Sequence, residues 1–260
     1  METVRSKDGT AIAFERSGSG PPLVLVHGTT ADHTRWAPVL PELERHFTVL
    51  AMDRRGRGGS GDSETYDIER EYEDVAAVVD AAGPGTSLLG HSYGALCSLE
   101  AALRTPNLRK LVLYEPPFPV DGIEIYAPGL EARLQALLDA GDREAMLTTF
   151  FREAAGASEQ EMAALKAAPS WQARLAAAHT ALREFADAEY VFDAGRIANL
   201  KVPTLLLVGG ASPPSLTRPS AMLAAALPEA RVAVMPGQGH TAMNTAPDLF
   251  VREVLSFLTA

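Results

Sequence analysis

The sequence is built from short apolar runs that end in glycine or a polar turn, each followed by a longer helix-like stretch. This rhythm limits the fold more than any other feature. The runs at 23–26, 48–52, 87–89, 110–114, 204–208 and 232–235 are β-branched or leucine-rich at successive positions, which suits strands covered on both faces. A further run at 10–15 and the polar–apolar alternation before it read as a strand opening the fold. Residues 72–82, closed by Gly83 and Pro84, and residues 92–104 read as helices. So does 246–258, with Pro247 near its start, where a missing N–H donor is tolerated. Strands alternating with helices predict the α/β class, with a mainly parallel sheet between helical layers.

Between positions 116 and 200 the pattern changes. Segments 131–140, 143–155, 159–167 and 171–186 all carry helical periodicity with no strand between them. We read 118–197 as a helical cap inserted into a core made of 1–117 and 198–260. On the inward sides of these helices Phe150, Phe151, Trp171 and Phe185 have two open readings: lining of a substrate pocket, or the core of the helical layer itself.

Composition removes several function classes. With 33 acidic against 23 basic residues the net charge is -10, which disfavours a broad grip on nucleic acid or an anionic membrane. No apolar run reaches the length of a membrane helix. The N-terminal stretch has no signal-type apolar run, so cytoplasmic residence is the default expectation. Cys97 is the one cysteine; it excludes an intrachain disulfide framework and reads as a small packed hydrophobe. The histidines are scattered and no HExxH occurs, so neither a metal nor a cofactor is expected. The expected partner is a small molecule.

The chemistry concentrates in three loops. Gly90-His91-Ser92-Tyr93-Gly94 lies directly between a strand run and a helix. In that context the serine stands on a tight turn at a helix start, and the flanking glycines allow crowded backbone. Ser92 is the candidate nucleophile, and the Tyr93 amide is a candidate oxyanion donor. His27-Gly28-Thr29-Thr30 follows the run at 23–26 and offers the Thr29 amide as the second donor, with a threonine hydroxyl, Thr30 included, facing the same pocket. His27 reads as an organiser of that turn. Gly237-Gln238-Gly239-His240 follows the last strand, and His240 is the candidate general base.

An orienting carboxylate should fall between the serine and the histidine in chain order. After the run at 204–208 the chain reads Gly209-Gly210-Ala211-Ser212-Pro213-Pro214, with no carboxylate. The preceding strand ends in Tyr114-Glu115-Pro116-Pro117, which places Glu115 at the same edge of the sheet. Glu115 is the preferred partner of His240; Asp121 and Asp193 stay open as competitors.

The serine elbow, the upstream His-Gly turn and the late Gly-x-Gly-His segment together resemble the α/β-hydrolase family over nearly the whole chain. The resemblance implies an eight-stranded sheet, a helical lid and a serine nucleophile. It commonly places the acid after the strand ending near Gly209, and this chain departs from that pattern. Some relatives carry the acid after the preceding strand, where Glu115 falls. The loop Asp53-Arg54-Arg55-Gly56-Arg57-Gly58-Gly59-Ser60-Gly61 contains a nucleotide-loop glycine spacing, with Asp80 downstream. No helix opens directly after it, so we read it as a structural turn. The expectation is a cofactor-independent serine hydrolase acting on an ester or thioester of a small, fairly apolar molecule, because the insertion shows no clear charged receptor. A lyase or cyclase using the same pocket without acylation, and a noncatalytic small-molecule receptor, are the alternatives.

Overall fold

The computed structural model describes the backbone of residues 1–123 and 125–260 and the side chains of all of these except 186 and 187. Eight strands form one sheet: β1 (Glu2–Arg5), β2 (Ala11–Gly18), β3 (Pro22–Val26), β4 (Thr48–Met52), β5 (Thr86–His91), β6 (Leu108–Tyr114), β7 (Thr204–Gly209) and β8 (Ala230–Met235). Their order across the sheet is β1-β2-β4-β3-β5-β6-β7-β8. β1 and β2 form an antiparallel hairpin, β2 also runs antiparallel to β4, and the remaining pairs are parallel. The sequence pattern predicts the mainly parallel α/β sheet, and the family resemblance implies its eight strands.

Strand periodicity assigns the core to two layers. Val24, Leu88, Leu111 and Leu206 face one side, under α2 (Ile68–Ala82), α3 (Tyr93–Ala102) and α9 (Pro214–Ala226). Leu25, Leu89, Val112 and Leu207 face the other, with Trp36, α1 (Leu40–Leu43), α10 (Ala242–Thr245) and α11 (Pro247–Leu258) packed on them. Cys97 is fully buried in the first layer, and burial pushes its thiol pKa up. The sequence pattern did not anticipate α9: its Pro213-Pro214 start and internal Pro219 resemble a turn.

Between β6 and β7 the chain makes a helical layer: α4 (Leu130–Asp139), α5 (Arg143–Glu153), α6 (Glu159–Ala167), α7 (Trp171–Ala176), a 3₁₀ run (Ala178–Glu189) and α8 (Ala194–Ile197). Ser158 and Glu161 close a reciprocal capping box at the start of α6. The single helix expected over 171–186 is corrected to α7 followed by the 3₁₀ run. Thr180 is buried there and its hydroxyl donates to the Ala177 carbonyl at 2.6 Å, a local bond that supports a tighter turn.

β3 lies between β4 and β5, so the chain leaves it first toward one edge of the sheet and later toward the other. The loops after β3 and β5 therefore meet in a crevice at the C-terminal ends of the strands, the place where open α/β sheets bind ligands.

Candidate active site

Among the described residues three non-glycine residues hold a left-handed φ, and all three follow neighbouring strands: Thr30 (54°) after β3, Ser92 (57°) after β5 and Glu115 (48°) after β6. Such backbone costs on the order of 1–3 kcal/mol per residue and persists where the surroundings impose it.

Ser92 is the single residue between β5 and α3. Its hydroxyl caps nothing in the helix it precedes. Its amide donates to the Tyr114 carbonyl at 2.8 Å, which fixes the elbow to β6. Both flanking glycines are required by close approach: a Cβ on Gly94 would strike the His27 carbonyl, and one on Gly90 would lie 2.5 Å from the Gly94 carbonyl. Tyr93 opens α3, so its N–H has no partner inside the helix.

Glu115 is fully buried. One carboxylate oxygen accepts from the Gly209 amide at 2.7 Å, and the other faces His240 Nδ1 at 2.6 Å. An Nδ1–H that donates to the carboxylate leaves Nε2 as the ring's free lone pair. Asp121 is exposed, and Asp193 is occupied in accepting from the Arg196 amide at 3.0 Å as the cap of α8. The region after β7 has little room for a side chain, since a Cβ on Gly209 would sit 2.6 Å from the Gly239 carbonyl.

Two residues that sequence reasoning passed over hold the His240 loop in place. His91 Nε2 donates to the His240 carbonyl at 2.8 Å, and the two rings lie 4.6 Å apart. Tyr114 donates its hydroxyl proton to the Gly239 carbonyl and accepts from the Ala242 amide at 3.1 Å. Their signal in the sequence was adjacency alone, one beside Ser92 and the other beside Glu115. Burial holds His91 well below the ordinary histidine pKa, with His240 and Arg35 adding to the effect.

The turn after β3 presses on the elbow: a Cβ on Gly28 would come within 2.9 Å of Ser92 Cβ. His27 is buried and kept neutral by burial; its Nε2 accepts from the Arg54 amide at 3.1 Å and its Nδ1 donates to the Gly28 carbonyl at 2.8 Å. Thr30 donates to the Thr29 carbonyl at 2.8 Å. The glycine-rich loop after β4 closes around Asp53, whose carboxylate accepts from Gly59 N at 2.8 Å and His33 N at 2.7 Å. Gly58 (φ 53°) has no room for a Cβ against that carboxylate.

The alpha/beta hydrolase family model matches residues 23–253. The chain belongs to the alpha/beta hydrolase family. An alpha/beta hydrolase from Sphaerobacter thermophilus is 40% identical, with a TM-score of 0.85 over 98% of this chain and 99% of its own. The 2-(acetamidomethylene)succinate hydrolase of Mesorhizobium japonicum is 24% identical over 94% of this chain and 90% of its own. The N-formylmaleamate deformylase of Pseudomonas putida is 29% identical over 86% and 83%. Family membership supports hydrolase activity in general terms.

The helical cap places the four aromatic candidates within its own layer. Phe150, Phe151 and Trp171 are buried in a cluster with Leu134 and Met146, and Phe185 packs against it, its ring 4.2 Å from that of Tyr126. Two of them also meet a cation: the Arg174 guanidinium lies 5.6 Å from the Phe151 ring centroid and Lys166 Nζ 5.9 Å from that of Trp171. Thr30 does line a cleft between the core and the cap, together with Arg35 and Arg174. The cap thus brings a charged side chain, Arg174, beside Thr30. Arg174 reads in sequence as the solvated side of a helix, yet the fold turns it inward.

Proposed function

We propose that the chain is a cofactor-independent serine hydrolase of small-molecule acyl compounds, with 1–117 and 198–260 as catalytic core and 118–197 as cap. The observation that carries this reading is the 2.6 Å pair of His240 Nδ1 with the buried Glu115 carboxylate, with the strained Ser92 elbow tied by its amide to the carbonyl of Tyr114, the residue before Glu115. In the proposed reaction Ser92 Oγ attacks the substrate carbonyl and His240 Nε2 takes the hydroxyl proton, while Glu115 holds the imidazole and balances its charge. The Thr29 and Tyr93 amides receive the oxyanion. Collapse of the tetrahedral intermediate passes that proton from His240 to the leaving group and leaves an acyl-Ser92. Water, deprotonated by His240, then attacks the acyl carbon; the acid departs and Ser92 regains its proton.

The expected ester or thioester specificity widens here to include amides, since two relatives are a deformylase and an acetamidomethylene hydrolase by name. The test is intact-mass analysis after treatment with a small fluorophosphonate, followed by peptide mapping. We expect one label per chain, on Ser92, formed much more slowly in His240→Ala. No label on folded wild-type protein would remove the covalent mechanism and favour the lyase or the receptor.

A further inference from the structure

We propose that Arg174 of the cap and Arg35 of the core form a receptor for a carboxylate group of the substrate, seated beside the Thr29–Thr30 turn. The inference deepens the hydrolase reading and rests on it. Arg174 is 5% exposed and Arg35 9% exposed, so both guanidinium groups have left water. Among the described residues neither forms an ion pair. Arg35 meets only neutral acceptors, the Asn244 side-chain oxygen through Nη1 and the Met243 sulfur at 3.1 Å through Nη2. Arg174 Nη1 donates to the Thr30 hydroxyl at 3.2 Å and the Thr29 carbonyl at 3.4 Å, while its buried Nε has no partner.

Elsewhere in the chain, buried arginines are neutralised. Arg54, Arg55 and Arg57 each lie within 3 Å of a carboxylate oxygen, at 2.7, 2.7 and 2.5 Å. Asp32, the carboxylate of the same cleft, attracts the Arg174 charge without forming an ion pair with it; its Oδ1 accepts from Thr34 N at 2.9 Å and from the Thr34 hydroxyl. A buried charge without a counter-ion is costly, and a pair of them more so. Burial lowers the Arg35 pKa to about 9, with Arg174 contributing, and burial lowers that of Arg174 to about 10 against the opposing attraction of Asp32. Both therefore stay cationic at neutral pH.

What would relieve this arrangement is an anion from outside the chain. Arg35 and Arg174 line the same cleft at the seam of core and cap, with Thr30, Ala31, Asp32, Thr34, Ser170 and Ala173 around them, two cations against one carboxylate. A planar, two-oxygen carboxylate matches the fork of a guanidinium and gains charge-assisted hydrogen bonds there. The site is one residue from the Thr29 amide, so a carboxylate held in it belongs to the molecule whose carbonyl reaches Ser92. In a protein of net charge -10, a local cationic pair also selects where an anionic substrate can bind.

Isothermal titration of Ser92→Ala protein with monoethyl succinate and with ethyl succinamate tests the receptor, because the two esters differ only in carboxylate against carboxamide. Monoethyl glutarate and ethyl glutaramate repeat the comparison one methylene longer. In at least one pair we expect the carboxylate to bind about ten-fold tighter or more. Arg174→Met and Arg35→Met, each checked for folding by circular dichroism, should bring that ratio close to one; Arg174→Lys should keep part of it. Equal affinities or no binding in both pairs, or a preference that survives in both methionine variants, overturns the receptor. Ser92 labelling is read separately on wild-type protein. A failed receptor thus leaves the hydrolase reading standing, and a failed label leaves carboxylate selectivity measurable.

Discussion

The seam between core and cap buries arginines at two places and treats them in opposite ways. At one, Arg54 grips Glu71 through two bonds of 2.7 and 2.8 Å and reaches Glu184 of the cap at 2.8 Å, while Arg57 meets Glu184 at 2.5 Å. This network supports the elbow, since Arg54 stacks 4.6 Å from the Tyr93 ring centroid and Tyr66 bonds both Glu71 and Tyr93 at 3.0 Å. At the other, Arg35 and Arg174 find only neutral acceptors. The difference teaches how to read a buried charge: where its counter-charge belongs to the chain it fixes geometry, and where none does it is held for a ligand at a cost in stability.

The sharpest break of this comparison is at Glu115, the buried carboxylate that faces His240 Nδ1 at 2.6 Å. Glu115→Gln keeps the shape but can offer His240 Nδ1 an amide N–H, which favours the wrong tautomer. We expect kcat on an ester substrate to fall by about 10⁴-fold, roughly 5 kcal/mol of transition-state stabilisation. A fall of less than about ten-fold would remove Glu115 as the orienting acid. The next largest effect is structural. Glu184→Ala leaves Arg54 and Arg57 short of a counter-charge, and breaking such a buried pair costs about 3–5 kcal/mol. At about 2–4 °C per kcal/mol for a chain of this size, calorimetry should show Tm lower by roughly 10 °C. An unchanged Tm would mean that the paired end of the seam holds nothing together.

The legible parts of this protein are those whose signal is local. Strand runs such as 204–208 declare themselves because both faces are buried, and Gly90 to Gly94 declares the elbow because close backbone contact demands glycine there. Glu115 was legible through chain order, as the carboxylate at a strand end between Ser92 and His240. Long-range geometry was not legible. Nothing near Arg174 in the sequence says that α7 turns it toward Thr30, some 140 positions away. The amphipathic pattern of the cap shows which residues are buried, but not whether they face a cavity or each other, and Phe150 and Trp171 face the cap's own core. The helix containing Pro219 was hidden because local propensity argued for a turn and tertiary packing overrode it.

A smaller effect separates the paired end from the rest of the molecule by pH. Burial raises the Glu71 carboxyl pKa, but Arg54 and Arg57 outweigh this and leave it below its ordinary value of 4.5. A carboxylate depressed on folding contributes stability that is complete above its unfolded pKa and is lost as pH falls through the folded one. Unfolding free energy should therefore decline below about pH 4.5, with Glu71 supplying at most about 1.4 kcal/mol per pH unit of that slope. Urea titrations across this range should show a shallower acid slope in Glu71→Gln, and an identical slope would place the acid sensitivity elsewhere.

The smallest effect has the opposite sign and bears most directly on the comparison. If the chain keeps Arg174 uncompensated for a ligand, then replacing it with an apolar side chain of similar length removes a buried charge and supplies a group that fits beside Phe151. Arg174→Met should be more stable than wild type by about 1 kcal/mol, seen as a Tm higher by roughly 2–4 °C. The same substitution should weaken binding of an anionic ester, so stability and recognition move in opposite directions at one residue. A lower Tm in Arg174→Met would mean that the guanidinium already has its full complement of partners in Thr29, Thr30 and the Phe151 ring. The two ends of the seam would then be two versions of one structural device.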